Sequence, residues 1–217
     1  MTTAKPSKAK KSAAKSKGKA KPATKAKATA KQAAKRVAKA DQAITHRAAH
    51  FRDKPLMKVF AALCEAADQP PLIAASAGTL AVGLLGKRGD LARGGARMLA
   101  SHLLATGAKL AIKHRFDRTR PSEAIAHGHK FRKGNQGGHE EKSFPSGHTA
   151  GAVAVAHAAS AEIDGATVPA TLAAAAVAAG QAPAGNHYLT DVLAGAVIGY
   201  VADVAVGAVF DRLEPKV

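Results

Sequence analysis

Three short polar segments of this 217-residue chain carry side chains that suit nucleophilic and acid–base chemistry. The last segment holds His187 and Asp191, which are four residues apart. At the start of a helix this spacing places both side chains on one face, so the carboxylate can accept a hydrogen bond from one imidazole nitrogen. The other nitrogen is then free to attack an electrophile. We therefore predict that Asp191 orients His187 as a nucleophile.

The other two segments can form a cradle for an anion. Lys113 and Arg120 follow an apolar stretch and can present a point charge and a planar fork to phosphate oxygens. A Pro-Ser-Gly-His sequence at 145–148 begins the next apolar stretch. Proline suits a helix start, and Gly147 lets the backbone approach a ligand closely. The free N–H groups of a helix start favour an anion, and the Ser146 hydroxyl adds a donor.

A second imidazole, His148, remains for protonating a leaving oxygen. Two histidines in different roles beside a cationic cradle are what hydrolysis of a phosphoester through a phosphohistidine requires. The loop between the first two segments also contains imidazole and carboxylate groups that suit zinc, but their spacing fits no specific signature, so we expect no metal site. These loop residues are His127, His129, His139, Glu140 and Glu141.

The order and spacing of the three segments resemble the type-2 phosphatidic acid phosphatase (PAP2)/haloperoxidase superfamily. The pattern of that family is Lys-x6-Arg-Pro, then Pro-Ser-Gly-His, then Ser-Arg-x5-His-x3-Asp. Residues 113–121 and 145–148 match the first two pieces in full, and His187 and Asp191 match the end of the third. The gaps between the pieces also suit the family. The resemblance covers about residues 56–212 and excludes the N-terminal tail.

The resemblance implies roles for the matched residues. His187 would be the nucleophile, His148 the general acid and Asp191 the residue that orients the nucleophile. The phosphate contacts would come from Lys113, Arg120, Ser146, Gly147 and His148. The family's phosphatase chemistry needs no metal or other cofactor. The implied substrate is a lipid phosphate or diphosphate, such as phosphatidic acid or an isoprenoid diphosphate.

One departure from the family pattern falls at Gly180 and Gln181, where the family has Ser-Arg. The missing arginine would be a phosphate ligand, and the loss of a charged hydrogen bond costs about 1.5–3 kcal/mol. Gln181 still offers a neutral donor, so we assign it to the phosphate-binding set, with activity reduced, retuned or lost. Alternatively, the charge comes from another nearby cation: Arg115, Arg118, Arg132 or Lys133.

Five apolar segments must position these residues. A bilayer span needs about 20 mostly apolar residues, within a range of about 17–25. The segments show a helical period or are apolar all round, and none alternates like a strand. We therefore predict an all-α, membrane-embedded bundle of five to six helices, against the alternative of a soluble alanine-rich bundle. The five segments are 69–86, which is marginal in length, 98–112, 143–161, 165–186 and 188–210.

The N-terminal segment differs sharply in composition. Residues 1–40 contain thirteen Lys, one Arg and no acidic residue, so they carry fourteen of the eighteen net positive charges. Such a segment has too little apolar surface to offset the entropy of ordering, which predicts a disordered tail that contacts anionic lipid or nucleic acid. Residues 41–68 are predicted to hold an amphipathic or interfacial helix at 51–66, and residues 69–212 form the PAP2-like domain.

The predicted location is a bacterial inner membrane, which the chain would cross several times. The bacterial source is inferred from the alanine-rich composition and the absence of Trp. Residues 87–97 form a predicted basic loop, which the positive-inside rule places in the cytoplasm. The site would then lie on the external face. With five spans, the lysine-rich tail would also be external, which is unfavourable. Either 51–66 is a sixth span or the orientation is reversed.

The leading functional hypothesis is a membrane phosphatase that acts on a lipid phosphate through a phosphohistidine intermediate. One alternative is a vanadate-dependent haloperoxidase, which uses the same cradle. We disfavour it because the catalytic region is short and lacks one arginine. The other alternative is a degenerate PAP2-fold protein whose basic tail binds nucleic acid or anionic lipid.

Overall fold

Helices account for about three quarters of residues 22–213, the part of the chain that this computed structural model describes. The predicted disorder of residues 1–21 lies outside the described residues. The all-α prediction is confirmed. The α-helices of the described part are α1 (Pro22–Ala49), α2 (Pro55–Cys64), α3 (Gln69–Leu85), α4 (Gly89–Lys113), α5 (Pro121–His127), α6 (Gly147–Glu162), α7 (Thr167–Gln181) and α8 (Leu189–Leu213).

The chain divides into two compact units, Met1–Ala38 and Lys39–Val217. Helix α1 begins at Pro22, so residues 22–40 are helical, whereas the composition predicted disorder throughout 1–40. Alanine and lysine are strong helix formers, which explains the helix in a segment with little to bury. A spacing of four residues places several exposed lysines on one side of α1. These are Lys27, Lys31 and Lys35.

Five helices form the bundle of the second unit. Helix α6 packs against α4, α7 and α8, and α3 packs along α4. The chain runs up and down through these helices, with short connections from α3 to α4 and from α6 to α7 and a longer one from α4 to α6. As a result, the starts of α3 and α6 and the end of α4 line one pocket at the same end of the bundle.

Small residues bring the helix backbones into contact. A Cβ atom added at Gly195 of α8 would lie 2.5 Å from the backbone oxygen of Ser146, so no side chain fits there. One turn later, Gly199 is equally close to the backbone oxygen of Ala150. The core between α4, α6 and α8 is made of alanine as well: Ala105, Ala154 and Ala202. Close approach through small residues is typical of helices that pack inside membranes.

The α3–α4 connection differs from the prediction. Residues 87–97 were predicted to be a basic loop, but α4 begins at Gly89 and includes most of them. The helix continues because its charges are neutralised inside the bundle: Arg97 makes two bonds of 3.0 and 2.8 Å to Asp203 of α8. Arg93 bonds to Glu162 at 2.6 Å. The positive-inside argument for orientation therefore rests on Lys87 and Arg88 alone.

The described helices differ in length from the five predicted segments, and the number of membrane spans stays a prediction. Among the described helices, α8 is long and apolar enough to cross a membrane, with 25 residues and a mean hydropathy of 2.0. Helix α3 is a shorter apolar helix of 17 residues, and α6 and α7 have 16 and 15. Helix α2, the predicted amphipathic helix, has 10 residues, too few for a sixth span.

The connection between α4 and α6 is folded, although its sequence predicted neither helix nor strand. Strand β1 (Phe116–Arg118) pairs antiparallel with β2 (Phe131–Lys133), and α5 lies between them in sequence. Asp117 holds the loop: it accepts bonds from Lys142 Nζ at 2.5 Å and from the backbone N–H of Gln136 at 3.1 Å. Three-residue strands are too short to show a detectable alternation.

Candidate active site

A polar pocket of about 170 Å³ at one end of the bundle collects residues that are distant in sequence. Five of the predicted site residues line it: Lys113, Arg120, Gly147, His148 and His187. The other three, Ser146, Gln181 and Asp191, do not line this pocket. Four lining residues lie outside the predicted set and bear on the chemistry: Asp68, Gln69, Lys109 and His139.

The His187 imidazole is fixed by a backbone carbonyl. Its Nδ1 lies 2.7 Å from the oxygen of Ser143. Because a carbonyl can only accept, Nδ1 carries the proton and Nε2 keeps its lone pair. The predicted hydrogen bond from the His187 imidazole to Asp191 is not formed, since Asp191 Oδ2 is 3.9 Å from Nδ1. The reason is that His187 precedes α8, which begins at Leu189, so the helical i, i+4 geometry does not apply.

Asp191 instead holds the residues around His187. Its carboxylate accepts the Ser143 hydroxyl at 2.6 Å and the backbone N–H of Tyr188 at 2.9 Å. Arg118 donates to its other oxygen at 2.5 Å. Asp191 therefore acts on His187 through Ser143, whose carbonyl orients the imidazole. Ser143 was not identified from the sequence, since a residue that works through its backbone oxygen leaves no side-chain signal.

Burial lowers the pKa of His187 to about 4. The Asp191 carboxylate opposes this shift, whereas the positive charges of Lys113 and Arg120 add to it. The imidazole is therefore neutral at pH 7, which is the form that can attack.

The second imidazole lies beside the first. The ring centroids of His148 and His187 are 6.5 Å apart, and both rings line the pocket. His148 Nε2 lies 2.9 Å from Oδ1 of Asp68, the residue before α3. Asp68 was not expected in the pocket, because it comes from a segment outside the three motifs.

Ser146 caps α6 and does not face the pocket. Its hydroxyl oxygen accepts the backbone N–H of Thr149 at 3.4 Å and lies 3.0 Å from Thr149 Oγ1. The prediction that Pro-Ser-Gly-His begins a helix agrees with this N-cap. Within the described residues, the N–H groups of Gly147 and His148 donate to no acceptor. They are available to an anion in the pocket.

The two predicted cations are held by the loop that follows them. Lys113 Nζ donates to the backbone oxygen of Lys142 at 2.8 Å. Arg120 Nε donates to the backbone oxygen of His139 at 3.2 Å, and its Nη2 lies 3.1 Å from His139 Nε2. A guanidinium has donors only, so His139 Nε2 accepts this bond. The folded loop thus aligns both charges along one side of the pocket.

Gln181 is turned away from the small pocket. Its amide nitrogen donates to the oxygen of Val177 in its own helix at 3.1 Å, and its amide oxygen has no partner among the described residues. It lines a wider cleft of about 680 Å³, which shares Arg120 and His148 with the pocket. The four alternative cations, Arg115, Arg118, Arg132 and Lys133, line neither cavity.

Arg118 serves a different purpose, as the shared partner of two buried carboxylates. Its Nη2 donates to Asp41 at 2.8 Å and its Nη1 to Asp191 at 2.5 Å. The guanidinium carbon lies 3.9 Å from the centre of the Tyr188 ring. Asp41, near the end of α1, also accepts the backbone N–H of Thr190 in the first turn of α8 at 3.1 Å. Arg118 and Asp41 therefore brace the start of α8 beside His187.

Replacing Arg118 by methionine should lower the free energy of unfolding by about 3–5 kcal/mol, because two buried carboxylates lose the cation between them. The matched control is Arg132→Met. Arg132 pairs with Glu141 at 2.8 Å but is 47% exposed, and exposed pairs contribute about 1 kcal/mol or less. Urea unfolding in detergent would compare the two variants. Equal losses would contradict the bracing role of Arg118.

Comparison with known proteins identifies the family of this chain. The sequence profile of the PAP2 superfamily matches residues 94–214, more than half of the chain. The chain therefore belongs to the PAP2 superfamily. No curated protein matches it significantly.

Two solved structures share the fold. The first is the transmembrane PAP2 type phosphatidylglycerolphosphate phosphatase from Bacillus subtilis, with 22% identity over 83% of this chain and 89% of that one, and a TM-score of 0.57. The second is LpxE from Aquifex aeolicus, with 19% identity over 76% of this chain and 93% of that one, and a TM-score of 0.58. At these identities the likeness concerns the fold.

Proposed function

We propose that this protein is a membrane phosphatase that removes phosphate from a lipid phosphate or diphosphate through a phosphohistidine intermediate. The observation that carries the proposal is the single pocket in which two imidazoles lie with their centroids 6.5 Å apart beside Lys113 and Arg120. Membership in the PAP2 superfamily supports the same class of reaction.

In the proposed reaction, the phosphate group enters the pocket and its oxygens are bound by Lys113, Arg120 and the N–H groups at the start of α6. The Nε2 lone pair of His187 attacks phosphorus, and the bond from phosphorus to the leaving oxygen breaks. His148 starts this step as the imidazolium, with Nε2 beside Asp68, and gives the Nε2 proton to the leaving oxygen, which takes the place of Asp68; the imidazole is then neutral. The lipid alcohol, or the shortened phosphate from a diphosphate, then leaves.

The second half of the reaction reverses the role of His148. The neutral imidazole removes a proton from a water molecule, which attacks the phosphohistidine on the side that the leaving group vacated. The bond between phosphorus and Nε2 breaks and returns the electron pair to His187. Inorganic phosphate is released, and both histidines regain their starting states.

A membrane location is supported by the outer surface of the bundle. Large apolar side chains are exposed along several helices, an arrangement that marks contact with lipid or with another apolar surface. They include Val82, Leu84, Leu172, Leu193, Val197 and Val201, each between 56% and 64% exposed. With α8 long enough to cross a bilayer, we propose a multi-pass protein of a bacterial inner membrane.

An apolar cavity supports a lipid substrate. It has a volume of about 440 Å³, lies between α2, α6 and α7, and shares Ala67 with the polar pocket. Its lining includes Phe60, Leu72 and Met98. Such a cavity can take part of a hydrocarbon chain whose phosphate occupies the pocket. The exposed lysines of α1 fit the further proposal that this helix contacts anionic headgroups.

The test is phosphate release by the purified full-length protein in detergent with EDTA. We expect release from phosphatidic acid or an isoprenoid diphosphate, and much slower release from glycerol 3-phosphate, which lacks the chain. Absence of release from every lipid phosphate would contradict the proposal. Halide oxidation with vanadate and peroxide would then favour the haloperoxidase, and a DNA gel shift that requires residues 1–40 would favour a binding protein.

A further inference from the structure

Lys109 is a cation of the pocket that neither the motifs nor the proposed reaction uses. It lies one helical turn before Lys113 in α4, and a spacing of four residues places both lysines on the same face. Its side chain lines the pocket together with Lys113 and Arg120. Only 9% of the residue is exposed. Within the part of the chain that the structure describes, no hydrogen bond or ion pair holds its ammonium group.

The start of α6 leaves room for this ammonium group. Lys109 Nζ lies 2.9 Å from the point where a Cβ atom of residue 147 would stand, so it occupies the space that Gly147 leaves empty. It therefore sits against the first turn of α6, where the N–H groups of Gly147 and His148 are also unused. A helix start carries a partial positive charge, which repels a cation and attracts an anion.

The pocket therefore concentrates more positive charge than the one carboxylate in its lining can balance. Three cations and a helix start share about 170 Å³ with a single carboxylate, that of Asp68. Like charges at such short range repel one another, and the repulsion is strongest away from water. A phosphate dianion would replace this repulsion with attraction.

We infer that Lys109 is the third cationic ligand of the bound phosphate and supplies the charge that Gln181 lacks. This inference rests on the proposed function and names a residue outside the three motifs. Gln181 cannot take the role in its present rotamer, because its amide group is bonded to Val177 of its own helix. None of the alternative cations considered from the sequence reaches the pocket, whereas Lys109 already lies in it.

The first test measures the affinity for inorganic phosphate by calorimetry on the purified protein. Lys109→Met should weaken binding by about 10- to 150-fold, the effect of losing one charged hydrogen bond. Lys109→Arg keeps the charge and should retain most of the affinity. The matched control is Lys133→Met, which removes an exposed lysine outside the pocket and should bind like the wild type.

Thermal unfolding distinguishes a lysine that binds phosphate from a lysine that stabilises the fold. In phosphate-free buffer, Lys109→Met should melt at or above the wild-type temperature, because the variant relieves the repulsion in the pocket. Added phosphate should raise the melting temperature of the wild type more than that of the variant. A lysine needed for folding would behave in the opposite way.

A compensating variant completes the test. Gln181→Arg restores the family residue in the wide cleft beside Arg120 and His148, and in the Lys109→Met background it should recover most of the lost phosphate affinity. Wild-type affinity in Lys109→Met would overturn the inference even if the protein proves to be a phosphatase. Conversely, Lys109→Met could lose phosphate affinity and Gln181→Arg restore it while the wild type hydrolyses no lipid phosphate. That result would overturn the proposed function and leave Lys109 as an anion ligand.

Discussion

Replacing His187 by alanine should lower the rate of phosphate release by about 10⁴-fold or more, because the covalent route is lost with its nucleophile. The wild type should form an acid-labile, base-stable phosphohistidine when it is mixed with labelled substrate and quenched rapidly. The variant should form none. The His187 ring is buried and neutral at pH 7, with a pKa lowered to about 4, so the wild type needs no deprotonation step before attack.

His114→Ala is the matched control for this variant. His114 follows α4, is exposed, and does not line the pocket, so its loss should leave both turnover and labelling unchanged. Normal turnover by His187→Ala, or a label that persists in this variant, would refute the assignment of the nucleophile.

Replacing His148 by alanine should have the second-largest effect, and its size should depend on the leaving group. A lipid alcohol leaves poorly without a proton, so we expect a loss of about 10²- to 10⁴-fold with a lipid phosphate. Nitrophenolate leaves without protonation, so phosphorylation of His187 by p-nitrophenyl phosphate should remain fast. Hydrolysis of the phosphohistidine still needs a base, so it should become the slow step.

The expected signature of His148→Ala is therefore a burst of nitrophenol, equal to about one per active site, followed by slow turnover. Rapid-mixing absorbance measures both phases. If the turnover of both substrates falls by the same factor and no burst appears, His148 does not act as the acid for the leaving group. A structural role for this residue would produce that uniform loss.

The sequence predicted the helical bundle well because its signals are long and repeated. Apolar runs with few or no charges correspond to α3, α6, α7 and α8. Apolar runs of this length favour helices over strands. The motifs were placed where a polar loop meets a helix, and the pocket forms at these junctions.

The differences from the prediction have two physical origins, namely charges that are paired across the fold and helix propensity in a segment with little to bury. Arg93 and Arg97 indicated a loop to sequence reasoning, but carboxylates on other helices neutralise them inside the bundle. Lysine-rich residues after Pro22 indicated disorder, although their helix propensity is high. A partner that is distant in sequence leaves no trace in a local pattern.

The same limit applies to the candidate site. Asp41, Asp68 and Ser143 contact the motif residues only after folding, and Ser143 reaches His187 through its backbone oxygen. Lys109 lies in the predicted apolar segment 98–112, and nothing in the sequence shows that Gly147 leaves space for its side chain. The departure at Gln181 was visible, but the cation that replaces the arginine was not.

The contact of Gly195 with the Ser146 backbone has a consequence for how the protein can vary. It places α8, which follows His187, directly against the start of α6, which carries His148. Because the contact involves backbone atoms, no change of rotamer can alter the distance between the two helices. The surface that faces outward is therefore free to change with the thickness or composition of the surrounding bilayer. Adaptation to a new host membrane should alter the exterior of α8 while leaving the spacing of the two rings intact.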